Sequence, residues 1–218
     1  IIKSLYRDAS NIRFYRNETS IGQYQSVHKV FHKLESKYIA IQDSDDISLP
    51  HRLWHSVTEM QKHNADIFGA SMENFIDWRS NGYAKADWYI ENQGIISESG
   101  IKANYCPSGR VNNPTMVLTK QSFLKLNGFT DWRYSADNEF VERAHRAGMS
   151  FHYSPSVVVL RRIHKESIGQ HPKTGFHTET QKKASQQLLA RYEELESETD
   201  MAQFGSMNAF HLNSNEAL

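Results

Sequence analysis

Three carboxylates fall within four positions, Asp43, Asp45 and Asp46, in the segment YIAIQDSDDISLPHRL, residues 38–53. Packed acids repel one another, and each resists ionisation unless a cation or hydrogen-bond donors compensate. An EF-hand calcium loop needs Gly at its sixth position and Glu at its twelfth. Counted from Asp43, those positions hold Ser48 and Trp54, which excludes it. An aspartyl-phosphate phosphatase carries Asp-x-Asp after its first strand, whereas here a helix and an earlier strand are expected upstream, and Ile47 stands where Thr or Val is usual. That phosphatase reading stays open, and a third chemistry is a divalent cation that carries a nucleotide diphosphate. Hard Mg²⁺ or Mn²⁺ takes one or two carboxylates and leaves its other positions to phosphate oxygens and water. A solvated acidic turn that also caps a helix is the plain alternative, and both readings stand on the tripeptide alone.

The elements around the acids favour a site. Apolar residues at Tyr24, Val27, Val30, Phe31 and Leu34 predict a helix from Ile21, with Thr19 or Ser20 as cap. A strand is expected before it, around Ile12 to Tyr15. KYIAIQ reads as a buried strand that ends at the acids. Ser48 as N-cap and Pro50 in the first turn predict a helix through HRLWHSVTEMQKH, and ADIFGAS predicts a further strand. Alternation of this kind marks an α/β fold, in which ligands bind outside the carboxyl ends of the strands. From Met72 to Gly109 the chain reads as strands with long loops. Met116 to Thr119 reads as a strand, followed by a short helix that Gly128 ends. SADNEFVERAHRAG predicts a helix with Phe140, Val141, Ala144 and Ala147 on one side and Gly148 as its stop. FHYSPSVVVLRR supplies one or two last strands, and the chain past Thr178 reads as a helix and then a loosely held tail.

Composition narrows the partners. The 218 residues suffice for one good-sized domain. Lys plus Arg equals Asp plus Glu at 25 each, so no net field points to nucleic acid or to an anionic membrane. No apolar run approaches the ~20 residues of a membrane helix. The single cysteine, Cys106, excludes an internal disulfide framework and fits a reducing compartment. A cytoplasmic location, at most peripheral to a membrane, is the expectation.

The acidic segment resembles the family 2 glycosyltransferases of the GT-A fold, particularly those of bacterial polysaccharide type. Their pattern is an apolar strand, Asp-x-Asp-Asp, a short apolar link, Pro, then Arg-Leu on a helix. The resemblance continues upstream in RFYRNETSIGQYQSVHKVFHKLESKYIA and downstream in NNPTMVLTKQSFLKLNGFTDWRYSADNEFVERAHRAG. It ends in YSPSVVVLRRIHKES, like the family's closing strand and Arg-x-His-x-x-Ser segment. The matches follow in order from Phe14 to Ser167, which is far more specific than Asp-x-Asp.

The resemblance implies an α/β, GT-A-like mixed sheet flanked by helices over residues 1–177, with a C-terminal helix and tail at 178–218. It implies an inverting, metal-dependent transferase of hexosyltransferase type, moving a sugar from a nucleotide-sugar to an acceptor hydroxyl in polysaccharide or glycolipid synthesis. Asp45 is then the metal-binding acid, Asp43 lies near the donor ribose or the metal, and Asp46 supports them; the ion is Mn²⁺ or Mg²⁺. Asp137 matches the general base, although Ala136 stands where a first acid is frequent, and Glu139 is the second candidate. A helix N-terminus at Asp137 favours its anion. His164 matches a position that reaches the metal or the diphosphate. Arg161 and Arg162 are placed to meet phosphate oxygens, Arg52 to pair near the acids, and Asn112, Asn113 and Thr115 to border the sugar pocket. Trp78, Trp88 and Trp132 are sugar platforms or, more plainly, core. His171 and His177 match no metal spacing and read as solvated.

The family begins with a strand, a helix and a second strand that hold the base, including an Asp-Asp-x-Ser run. Nothing like it precedes Ile1. The expectation is an N-terminally incomplete domain, set in a larger polypeptide or a homo-oligomer. A degenerate, catalytically silent module that binds glycan or protein is the alternative from another class.

Overall fold

The computed structural model describes residues 9–75, 111–162, 164, 167, 171–174 and 178–197. Five strands form one mixed sheet in the order β1-β4-β3-β5-β2. They are β1 (Tyr38–Ala40), β2 (Ile47–Ser48), β3 (Ile67–Phe75), β4 (Val117–Thr119) and β5 (Phe151–Arg162). β3 and β5 run parallel at the centre, and every other pairing is antiparallel. The helices are α1 (Gln23–Phe31), α2 (Arg52–His63), α3 (Lys120–Lys125), α4 (Ala136–Arg146) and α5 (Glu179–Ser197). This is the α/β architecture expected.

Alternation along the strands supplies a core on each face of the sheet, because successive side chains point to opposite sides. Ile67 and Leu118 join Phe31, Phe123, Phe129 and Phe140 on one face. Phe68 and Val117 join Met60 and Ala65 under α2 on the other. Trp132 belongs to the first of these clusters and is core rather than a sugar platform. Gly128 ends the α3 segment at φ 74, and a Cβ there would stand 2.5 Å from His28 Nδ1, so both conformation and space require glycine. Gly148 stops α4 at φ 68, as its position in the sequence indicates.

Several local expectations are corrected. Ile12 to Tyr15 forms no strand, since these exposed residues meet no sheet edge. The cap of α1 is Gly22, with no side-chain hydrogen bond from Thr19 or Ser20. Helix α2 starts after His51, not at Ser48. Ser48 instead sits in β2 opposite Val159 of β5, so a long-range ladder overrides the local cap signal. Of the one or two strands expected after α4 there is one, β5, and it takes Pro155 because the register against β3 slips between Ser154 and Val157. A proline inside a sheet needs such a bulge, where no ladder donor is missed. Met72 to Phe75 continue β3, while residues 76–110, with Trp78, Trp88 and Cys106, lie outside the described residues, as does His177.

Candidate active-site cleft

The acids leave β1 at its carboxyl end and are fastened to the carboxyl end of β5. β2 pairs with β5 through Ile47 and Leu160. Past that pairing, the Arg162 backbone N–H donates to Asp46 Oδ1 at 2.9 Å, and Arg162 Nε donates to the Asp45 carbonyl at 3.0 Å. Buried Arg52 secures the loop from below, donating to the Ile41 carbonyl at 2.5 Å, to Ser48 Oγ at 2.8 Å and to Gln42 Oε1 at 2.5 Å. Arg52 therefore shapes the acidic loop through Gln42, which did not stand out in the sequence, and through Ser48, which was read there only as a helix cap.

Each acid then has its own surroundings. Asp45 Oδ2 meets His164 Nε2 at 2.7 Å across 119 positions of sequence, joining two of the three residues, with Asp43, that the resemblance places at the metal. Asp43 Oδ1 accepts from Gln23 Nε2 and, at 3.3 Å, from Asn113 Nδ2. Burial pushes the Asp43 carboxyl above its ordinary value, and the Asp45 charge adds to this against those two amide donors. Asp46 is pushed up to about 6, first by burial and then by Asp43 and Asp45, despite the Arg162 N–H. The loop thus has the unequal charge compensation that a cation would relieve.

Two connected hollows flank Asp43. One, of about 560 Å³, is lined by Asp43, Asp45, Asp46, Arg161, Arg162 and His164. The other, of about 320 Å³, lies against Tyr24, Asp43, Asn113, Arg133, Asp137 and Arg161. Asp43 and Arg161 belong to both. The loop before β4 brings Asn112 and Asn113 to the smaller hollow; Thr115 is turned inward, its hydroxyl accepting from the Ala70 N–H at 3.2 Å and donating to the Asn112 carbonyl. Asn113 Oδ1 is buried with no partner among the described residues.

Helix α4 separates the two candidate acids. Asp137, in the first turn, accepts from the Tyr24 hydroxyl at 2.8 Å and lines the smaller hollow. Its carboxyl is raised by burial, which outweighs both the Tyr24 hydrogen bond and the first-turn N–H groups. The helix N-terminus was expected to hold this acid as a ready anion; desolvation is the larger effect. Glu139 points the other way and is fully buried. Arg143 Nε and Nη2 each reach it at 2.9 Å, and Arg191 of α5 approaches at 3.4 Å. Glu139 is in the core, away from both hollows.

Among the described residues, the loop acids and His164 do not close into a three-ligand cluster; Glu59, His63 and His152, on other elements, do. Asp45 with His164 offers two ligand atoms and leaves further positions open, which suits a hard ion that keeps water and phosphate oxygens. Half-buried His171 sits in a turn with its Nδ1 accepting from the Lys173 N–H, apart from the cleft. No helix among the described residues is long and apolar enough to cross a membrane.

The sequence missed Tyr24 and Gln23. Their side chains come from the α1 stripe, where Tyr24 reads as one more apolar contact and Gln23 as solvent-facing.

Comparison with known proteins agrees with this architecture. The chain is similar to an uncharacterized glycosyltransferase of Methanocaldococcus jannaschii, 36% identical over 81 residues, covering 37% of this chain and 28% of that protein. In solved structures it is similar to S. aureus TarS 1-349 in complex with UDP-GlcNAc, with a TM-score of 0.58 at 14% identity, covering 98% of this chain and 64% of that one. The same protein in complex with UDP matches with a TM-score of 0.53 at 13% identity, over 98% and 63%. The chain thus spans less than two thirds of these relatives. The fold is the GT-A type expected. The family model described as glycosyl transferase family 2 matches residues 1–128, more than half of the chain, and the chain belongs to that family.

Proposed function

We propose that this chain transfers a sugar from a nucleotide-sugar donor to an acceptor hydroxyl, with inversion, in polysaccharide or glycolipid assembly. The observation that carries the reading is that Asp43 forms the wall shared by two hollows, one holding Asp45 and His164 and the other Asp137. Donor diphosphate on one side and acceptor on the other would meet at that wall. The TarS structures, which hold UDP-GlcNAc and UDP, support a nucleotide-sugar as the donor class.

In this mechanism Asp45 and His164 would hold Mn²⁺ or Mg²⁺. The ion, when bound, supplies positive charge to the departing diphosphate and removes the need for a proton donor. Arg161 and Arg162 present guanidinium groups to the same hollow, where they bind phosphate oxygens. Asp43 and Asp46 complete the donor side, Asp43 facing the ribose. Asn113, whose amide nitrogen donates to Asp43 Oδ1 at 3.3 Å, borders the sugar on the same wall. Asp137 takes the proton from the acceptor hydroxyl as that oxygen attacks the anomeric carbon from the face opposite the diphosphate. Burial suits it to this task, because a carboxylate whose proton affinity is raised is a better base near neutral pH. Glu139, with both oxygens occupied in the core, is left a structural role.

The test is calorimetric titration of the folded chain with UDP, GDP and dTDP, with and without Mn²⁺, beside Asp45→Ala. Nucleotide binding that requires Mn²⁺ and is lost in the variant is the expected result. A folded chain that binds none of the three under either condition would overturn the donor site in favour of a silent binding module.

A further inference from the structure

The far end of β5 carries a second cluster that the transfer reaction does not use. Glu59 and His63 are one turn apart on α2, and His152 faces them from the second residue of β5. His152 Nε2 lies 2.9 Å from Glu59 Oε2, and His63 Nε2 lies 3.6 Å from the same oxygen. The two imidazole rings stack at 3.9 Å and 8°. One potential ligand atom from each residue falls within 4.8 Å of the other two. His152 lies ten residues before the end of β5, which puts roughly 30 Å between this cluster and the acidic loop.

We propose that Glu59, His63 and His152 form a site for a borderline divalent cation of the Zn²⁺ class, separate from the donor site. Two imidazoles and one carboxylate are a donor set that zinc takes in three-ligand sites. Imidazole nitrogen selects zinc, copper and nickel, whereas Mg²⁺ and Mn²⁺ favour oxygen, so the two ends of β5 sort cations by chemistry. Ligand atoms around a tetrahedral zinc stand roughly 3.3 Å apart. The two distances to Glu59 Oε2 bracket that spacing. Stacked rings aim their lone pairs side by side, so closure on an ion needs one ring to turn. His63, whose side chain is 41% exposed, has the room. Lys62 competes for the carboxylate, but it approaches the other oxygen, Oε1, at 3.8 Å and is itself 65% exposed. The fourth position faces solvent, for water or for a ligand from another molecule.

The competing account is that the stack and the ion pair only join the end of α2 to β5. Titration of the whole chain with Zn²⁺ decides, in excess Mg²⁺ and without nucleotide, with Co²⁺ as a visible-spectrum reporter. The expected result is one Zn²⁺ per chain, retained in Asp45→Ala and weakened at least about tenfold in both His63→Ala and His152→Ala. Co²⁺ then shows the intense visible bands of a four-coordinate site in the parent chain and loses them in both histidine variants. Zn²⁺ also raises the melting temperature of the parent chain and not that of His63→Ala. His63→Ala removes an exposed ring and keeps the question open to test if His152→Ala does not fold. Failure of the folded parent chain to bind Zn²⁺, binding that survives both histidine substitutions, or binding lost only in Asp45→Ala would overturn the site.

Discussion

Asp137 and Glu139 stand two residues apart on α4, yet one faces the cleft and the other the seam between α4 and α5. In the seam, Glu139 is fully buried and answered by two guanidinium groups. Arg143 spends its remaining donors on the carbonyls of Leu126 and Gly128. In the cleft, the hydrogen bonds to Asp43, Asp46 and Asp137 come from amides, a backbone N–H and a phenol. Burial then drives all three carboxyls upward. The fold pairs Glu139 directly with guanidinium groups, whereas the charge of Arg161 acts on Asp43 and Asp46 without offsetting their burial. The same physics appears as stability in one region and as reactivity in the other.

The strongest test exchanges the two acids for their amides. Asp137→Asn keeps the shape of the cleft and removes the base, so turnover should fall about 10²- to 10⁴-fold while nucleotide affinity is unchanged. Transfer assays with calorimetry in parallel measure both. Glu139→Gln should do the reverse. Buried Arg143 would lose its counter-charge, while Arg191 keeps Glu194 at 2.9 Å, at a cost of about 3–5 kcal/mol in denaturant unfolding, with turnover per folded molecule retained. If Glu139→Gln abolished turnover in folded protein and Asp137→Asn did not, the roles assigned to the two regions would be reversed.

Helix geometry explains why the sequence left these two acids as joint candidates. A step of two residues turns about 200° around an α-helix, so at most one of them faces a given cleft. Glu139 with Arg143 is also a readable pair at i, i+4. Which face turns inward depends on Arg191, 52 positions away, and that contact leaves no local signal. The acidic loop was legible for the opposite reason: its residues are contiguous and end a strand in an α/β pattern. The Asp45–His164 contact was legible only through the order of motifs along the chain. Elements whose fate is set by a distant partner were misread. Ile12 to Tyr15 has strand-like residues but no edge to pair with, and Ser48 has the chemistry of a cap but is drawn into β2 by Val159. His63 and His152 likewise meet across 89 positions, and nothing near either announces the other.

A smaller effect is expected at the proposed metal ligands. His164→Ala leaves Asp45 as the one remaining ligand of the pair, and Mn²⁺ affinity measured in the presence of nucleotide should fall about 10- to 100-fold. Binding of Mn²⁺ should survive, because the diphosphate and water supply the other positions. An unchanged affinity would place His164 with the structural contacts, as an ion-pair partner of Asp45 and no more.

The smallest effect concerns Tyr24, whose hydroxyl is the one side-chain donor on Asp137 among the described residues. Its own ionisation is pushed well above the usual phenol range by burial and by Asp137, so it remains a donor across any working pH. A hydrogen bond to the charged form stabilises that form, so this phenol holds the Asp137 carboxyl below the value that burial alone would set. Tyr24→Phe keeps the ring against Phe129, at 5.1 Å between centroids, and deletes only the donor. The Asp137 carboxyl should then bind its proton more tightly. Catalysis needs the ionised base, so activity is lost as pH falls through that value, and the acid limb of kcat/KM should move to higher pH by about one unit. Well above the limb the variant should match the parent or exceed it slightly, as a stronger base would. A uniform loss at every pH, with the limb in place, would instead assign Tyr24 to packing and sever the link between α1 and the chemistry of α4.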